Sequence, residues 1–175
     1  GIRDAQESRG LGDVYKRQVV EEEMKIAFQL NGQPVEMDIE PRETLAEVLR
    51  NRCRLTGVKV SCGIQVCGSC TVLVDGLPVS ACTYLAYQAR GRCVTTIEGL
   101  AQNGALHPVQ QAFLDEFAFQ CGFCTPGMIL TAVALLQEKP TPTDEEIIAY
   151  MDGNLCRCTG YWPIVRAVKR AAHIM

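Results

Sequence analysis

The chain has 175 residues, 47% of them hydrophobic, and a formal net charge of −3. That length allows one domain or two small ones, and that hydrophobic content can fill a packed core, which argues against a disordered polypeptide. So mild a charge argues against nucleic acid or an anionic membrane surface as partner, and the longest apolar run, around Met128–Leu136, falls far short of a membrane insertion.

Gly1–Gln18 is polar, shows no apolar periodicity and lacks the hydrophobic stretch of a signal peptide. Within it, Gly12-Asp13-Val14-Tyr15-Lys16-Arg17-Gln18 resembles translated adapter sequence, so residues 1–20 are expected to be a disordered or non-native leader. Glu21-Glu22-Glu23 reads as a solvated run before the first strand. Met24–Leu30 alternates as a strand does, Asn31-Gly32 is a favoured hairpin turn, and Val35, Met37 and Ile39 alternate again until Pro41. Thr44-Leu45-Ala46-Glu47 is a capping box whose helix presents Leu45, Val48 and Leu49. A glycine-punctuated loop from Ser61 to Cys70 precedes a strand Thr71–Val74, a turn at Asp75-Gly76, a returning strand Leu77–Tyr84 and a last strand Arg92–Ile97. The order ββαβββ predicts an α+β domain over residues 21–99.

The second part, 100–175, reads as helical. Val109, Phe113 and Phe117 recur at helical spacing after His107-Pro108, with His107 in a turn or capping role. Thr125–Glu138 follows, with Pro126 in its first turn. Lys139-Pro140-Thr141-Pro142 breaks it. A capping box at Thr143–Glu146 opens the helix of Ile147, Ile148 and Met151, which Gly153 and Asn154 end. Pro163 opens a fourth, with Ile164, Val165 and Val168 inward.

Eight of the ten cysteines form two quartets. Cys62, Cys67, Cys70 and Cys82 are spaced C-x4-C-x2-C-x11-C, and Cys121, Cys124, Cys156 and Cys158 are spaced C-x2-C-x31-C-x-C. Four thiolates at one site suit zinc or an iron–sulfur cluster. Structural zinc favours two short-spaced pairs, each on its own knuckle, which the first spacing fits poorly; its opening C-x4-C-x2-C is a plant-type 2Fe–2S spacing. Gly63 and Gly68 let that loop turn and bring amide N–H groups toward sulfur. In the second quartet Cys124 directly precedes a helix, whose N-terminal amides favour an anionic cluster. Zinc remains an alternative there. Cys53 and Cys93 read as small buried hydrophobes, and Phe123 as a cover over the second site. Arg157, between two ligands, either offsets cluster charge or pairs with a carboxylate. With no phosphate loop, dinucleotide fingerprint or catalytic triad in view, no catalytic residue is assigned and substrate chemistry is expected elsewhere.

Ser61-Cys62-Gly63 with Cys67-Gly68-Ser69-Cys70-Thr71-Val72, Gln120-Cys121-Gly122-Phe123-Cys124-Thr125-Pro126-Gly127-Met128, and Gly153-Asn154-Leu155-Cys156-Arg157-Cys158-Thr159-Gly160-Tyr161 resemble the cluster motifs of the xanthine oxidase family of molybdenum hydroxylases. The likeness, over about Met24 to His173, is to their small iron–sulfur subunit, of the carbon monoxide dehydrogenase type. It implies a plant-ferredoxin-like β-grasp domain followed by an all-α four-helix bundle, each with a 2Fe–2S cluster. It implies a large subunit holding the molybdopterin cofactor and usually a medium subunit holding FAD, in a dimer of heterotrimers. Electrons would pass from molybdenum through both clusters to FAD or an external acceptor. The second quartet would lie nearer the pterin, with Gln120 and the Cys158 backbone against it. Gln65 departs from the glycine of many relatives, which would cost about 1 kcal/mol if its φ is positive. A free-standing two-cluster ferredoxin is the alternative function, though it would not need the helical part. The expected compartment is the cytoplasm, or export with partners as a folded complex.

Overall fold

The computed structural model describes residues 23–175; the leader lies outside the described residues. β1 (Met24–Leu30) and β2 (Gln33–Ile39) pair antiparallel, from Met24 opposite Ile39 to Leu30 opposite Gln33. Between them Asn31 and Gly32 turn at φ 52° and 79°, the left-handed pair that a twisted two-residue hairpin requires. β1 buries Ile26, Phe28 and Leu30 on one face and exposes Lys25, Ala27 and Gln29 on the other. The capping box of α1 (Leu45–Glu47) forms as expected, and the helix widens into a π turn over Val48–Arg52. β3 (Thr71–Val74), β4 (Leu77–Ser80) and β5 (Cys93–Thr95) complete a mixed sheet of order β2-β1-β5-β3-β4, in which β1 and β5 run parallel. Pro34 and Pro78 fall on the two edge strands, where a missing N–H costs no ladder bond.

The returning strand stops at Ser80, short of the expected Tyr84. Thr83 and Tyr84 donate back to the Ser80 carbonyl, and the Ala46 amide of α1 takes Ala81 O at 3.0 Å. Cys82 therefore sits on a turn stapled to α1, not on a strand. The last strand is likewise only Cys93–Thr95. There Val94 faces inward and Cys93 is exposed, contrary to expectation, because alternation gives the two opposite faces. Cys53 is half-buried.

Four helices follow among the described residues: α2 (Pro108–Asp115), α3 (Thr125–Glu138), α4 (Asp144–Met151) and α5 (Tyr161–Ala172). His107 caps α2, its Nδ1 accepting from Val109 N–H at 3.3 Å. Phe117 does not continue that helix. It turns at φ 50° and is 79% exposed, while Phe117 N–H bonds Leu114 O and Ala118 N–H bonds Phe113 O. That is a Schellman stop with phenylalanine where glycine is usual. α5 begins two residues before Pro163, and Ile164, Val165 and Val168 are buried as expected. α4 buries Ile147 and Met151 and leaves Ile148 half-exposed.

Two cores result. One lies under the sheet around Ile26, Phe28, Leu45, Leu49 and Val72; the other lies among the helices around Phe113, Met128, Leu130, Ile147 and Val168. β3 belongs to both. Val72 and Val74 enter the first, Leu73 enters the second, and the strand is buried on both faces, which explains its uninterrupted apolar run. α3 packs on β3. Just before β3, α3 meets the cysteine loop so closely that a Cβ on Gly127 would stand 2.3 Å from the Gly68 carbonyl oxygen. Gly127→Ala should destabilise the chain by about 1–3 kcal/mol, the usual cost of overpacking. Urea unfolding checks this, and an unchanged midpoint would contradict the contact.

Candidate metal centres

Cys62, Cys67 and Cys70 sit on the irregular loop between α1 and β3, and Cys82 on the turn after β4. Three residues of the loop have positive φ: Gly63 at 68°, Gln65 at 62° and Gly68 at 65°. The turns aim the amides of Ile64 and Val66 at Cys62 Sγ, at 3.5 and 3.4 Å. These N–H donors, with that of Cys67, pull the Cys62 thiol from the ordinary value near 9 down to about 6. Burial does the opposite to Cys70, pushed up to about 11. Gln65 thus carries the left-handed cost of about 1 kcal/mol. Its Oε1 accepts from Thr83 Oγ1 at 3.0 Å, tying the loop to the Cys82 turn.

Cys121 and Cys124 lie between α2 and α3, Cys156 and Cys158 between α4 and α5. The second set repeats the local device of the first. Gly122, at φ 79°, follows Cys121 as Gly63 follows Cys62, and the amide two residues on, that of Phe123, lowers the Cys121 pKa. Cys158 adds a thiol hydrogen bond to Cys121. Cys124 is pushed up to about 12 by burial, with the Cys156 hydrogen bond adding to it. Gly160 N–H donates to Cys156 Sγ at 3.5 Å.

Cys62 is within thiol hydrogen-bond reach of Cys67, Cys70 of Cys82, Cys121 of Cys158 and Cys124 of Cys156, while Cys67 and Cys121 also act through charge on Cys70 and Cys124. Among the described residues no three or more His, Cys, Asp or Glu side chains close around a single ion's position. The ten cysteines are all free thiols. Cys53 and Cys93 take no part in these pairings.

The two sets share one cavity of about 390 Å³, walled by Cys67 and Ser69 on one side and by Cys121, Cys124, Cys156 and Arg157 on the other. Phe123 lines it too but is 44% exposed, so it covers the second set only partly. The loops are joined directly. Leu155 N–H donates to Cys67 O at 2.9 Å, and Asn154 Nδ2 donates to Gly68 O at 3.1 Å. Asn154, only 5% exposed, accepts from Thr131 Oγ1 of α3 at 3.0 Å. Tyr161 OH accepts the Cys156 amide at 3.0 Å. Sequence reasoning took Asn154 for a helix stop; the signal it passed over was an amide side chain close before the Cys156–Cys158 pair. Gln120, exposed, donates from Nε2 to Cys158 O at 2.9 Å, so the two positions expected at the pterin touch each other.

Residues 28–97 match the 2Fe-2S iron-sulfur cluster binding domain, and residues 96–169 match a 2Fe-2S binding domain. The chain is 50% identical over 146 residues to the nicotinate dehydrogenase small FeS subunit of Eubacterium barkeri, covering 83% of this chain and 93% of that one. It is 46% identical over 150 residues to the xanthine dehydrogenase iron-sulfur-binding subunit of Escherichia coli O157:H7, covering 84% and 93%. The structure of quinoline 2-oxidoreductase from Pseudomonas putida 86 superposes with a TM-score of 0.84 at 46% identity, covering 86% of this chain and 94% of that one. The chain belongs to the small iron–sulfur subunits of the xanthine oxidase family of molybdenum hydroxylases. It is the electron-transfer component of an oxidoreductase whose substrate-converting site lies on another chain.

The opposed thiol shifts give a checkable pattern in the folded chain freed of iron. Only the thiolate attacks iodoacetamide. Cys62, lowered to about 6, is ionised at pH 7, while Cys70 and Cys124, raised to about 11 and 12, are not. Mass mapping should find Cys62 labelled ahead of Cys70 and Cys124, and its labelling should fall as pH drops through 6. Equal rates at Cys62, Cys70 and Cys124 would contradict the amide geometry.

Proposed function

We propose that Cys62, Cys67, Cys70 and Cys82 hold one 2Fe–2S cluster and Cys121, Cys124, Cys156 and Cys158 the other. The observation that carries this is the all-sulfur donor set at each site with backbone N–H groups aimed at sulfur, and the nearest thiol neighbours within each set agree with it. A two-iron cluster takes two thiolates at each iron, whereas structural zinc gathers four around one ion. Cys62 with Cys67 and Cys70 with Cys82 suit two irons, as do Cys121 with Cys158 and Cys124 with Cys156. The donor set is all sulfur, and the N–H···S bonds at Cys62, Cys121 and Cys156 suit an anionic centre. When bound, each cluster accepts and releases one electron.

The relay runs from a molybdopterin-binding large subunit through the Cys121–Cys158 set and then the Cys62–Cys82 set to FAD on a medium subunit, or to an external acceptor. The complex is a dimer of heterotrimers. Nicotinate and quinoline in the names of relatives favour an N-heterocyclic substrate for the partner's site. Gln120 faces the pterin. One Nε2 hydrogen is spent on Cys158 O, which orients the amide and leaves Oε1 and the second N–H for the interface. Phe117, Phe119, Phe123, Leu155 and Trp162 lie exposed on the segments around the second set, as a surface built for a partner would have them. The domains divide as 21–99 and 100–175, the second a four-helix bundle. Free thiols throughout suit the cytoplasm, and among the described residues no helix is long and apolar enough to cross a membrane.

Ligand substitution tests the assignment. In the dithionite-reduced chain, Cys82→Ser should disturb or abolish one EPR signal and Cys124→Ser the other, while Cys53→Ser and Cys93→Ser change neither. Loss of the same signal in both ligand variants would overturn the two-site assignment.

A further inference from the structure

The hydrogen bond from Leu155 N–H to Cys67 O, 2.9 Å long, joins the residue next to one ligand to the backbone of another. Leu155 is peptide-bonded to Cys156, and the accepting carbonyl belongs to Cys67 itself. From Cys156 Sγ to Cys67 Sγ the path is covalent apart from that one N–H···O contact. Electronic coupling decays less steeply along covalent and hydrogen bonds than across open space. A second bonded route, through Asn154 Nδ2 to Gly68 O, is longer at both ends.

Asn154 is what holds the short route closed. Its N–H bonds Met151 O at 2.9 Å, its Nδ2 bonds Gly68 O at 3.1 Å, and its Oδ1 accepts from Thr131 Oγ1 at 3.0 Å. It is thus fixed to α4, to the first ligand loop and to α3 at once, in a site that is 5% exposed. Fixing it fixes the amide of the next residue, Leu155. A side chain on Gly68 has no room, since a Cβ there would stand 2.5 Å from Asn154 Nδ2. The two loops cannot approach this closely with anything larger.

We propose that Leu155 N–H···O=C Cys67 is the electronic bridge between the two sulfur sets, and that Asn154 is its positioning residue. The proposal rests on the two-cluster reading above. One electron crosses per event, supplied by substrate oxidation on the partner subunit. The Cys156 side is oxidised by one unit and the Cys67 side reduced by one. No bond forms or breaks, and the amide proton stays on Leu155.

The bridge can be cut without altering a side chain by Leu155→leucic acid, which turns the donating N–H into an ester oxygen. In the full chain with both clusters bound, two readouts follow: the spin–spin splitting in the EPR spectrum of the doubly reduced protein, and the rate of intramolecular electron transfer after flash reduction. Both EPR signals should persist, the splitting should shrink, and transfer should slow several-fold. Unchanged splitting and rate would overturn the bridge. Asn154→Asp, isosteric but with oxygen where Gly68 O needs a donor, gives a second test. Hydrogen exchange of the Leu155 amide should rise and the splitting should fall together. Faster exchange with unchanged splitting would overturn the bridge, and retained protection would overturn the part given to Asn154. A wild-type chain lacking one of the two signals would instead sink the two-cluster reading.

Discussion

Everything about the relay depends on how closely α3 lies against the first cysteine loop. Gly127 of α3 and Gly68 of the loop meet with no space for a methyl group, and Asn154 closes the junction with hydrogen bonds to Gly68 and Thr131. Cys70 directly precedes β3, and Cys124 directly precedes α3. Packing β3 against α3 therefore brings the two cysteine sets together, and Cys67 of one lines a cavity with Cys121, Cys124 and Cys156 of the other. A buried amide of this kind stabilises only while every partner is in place. The same bonds that hold the fold together thus set the spacing between the two cysteine sets, the distance a relay through them would have to cross.

Each set has one thiol facing water and amides and another facing the core. Cys62 and Cys121 are each followed by a glycine of positive φ that turns the amide two residues on toward sulfur. Cys70 and Cys124 are partly or wholly buried, and desolvation raises both. The amides favour the thiolate at the outer end, while the inner end gives up its proton only when a metal takes its place. Loading should therefore release protons from Cys70 and Cys124. Once bound, the inner sulfurs lie in the low-dielectric surroundings in which hydrogen bonds and burial tune a cluster's potential.

Much of this was legible in the chain because it is written in short-range chemistry. Asn31-Gly32, the boxes at Thr44 and Thr143, and the alternation of β1 depend on neighbours a few residues away, and each forms where expected. Gln65 was suspect as a non-glycine in a glycine position, and its φ of 62° bears that out. What was not legible depends on distant contacts. The β4 strand ends early because α1 takes the Ala81 carbonyl, which moves Cys82 onto a turn. Phe117 was read by its spacing, yet it stops the helix in a conformation that periodicity does not report. Asn154 gains its role only when Gly68 arrives from 86 residues away.

The central claim is that this chain carries two separate 2Fe–2S clusters on two cysteine sets. The direct measurement is EPR of anaerobically purified, dithionite-reduced protein, with iron and acid-labile sulfide counted on the same sample. Two distinct S = ½ signals are predicted, with about four iron and about four sulfide per chain. A colourless, EPR-silent protein with stoichiometric zinc and no sulfide, from a sample never exposed to air, would contradict it.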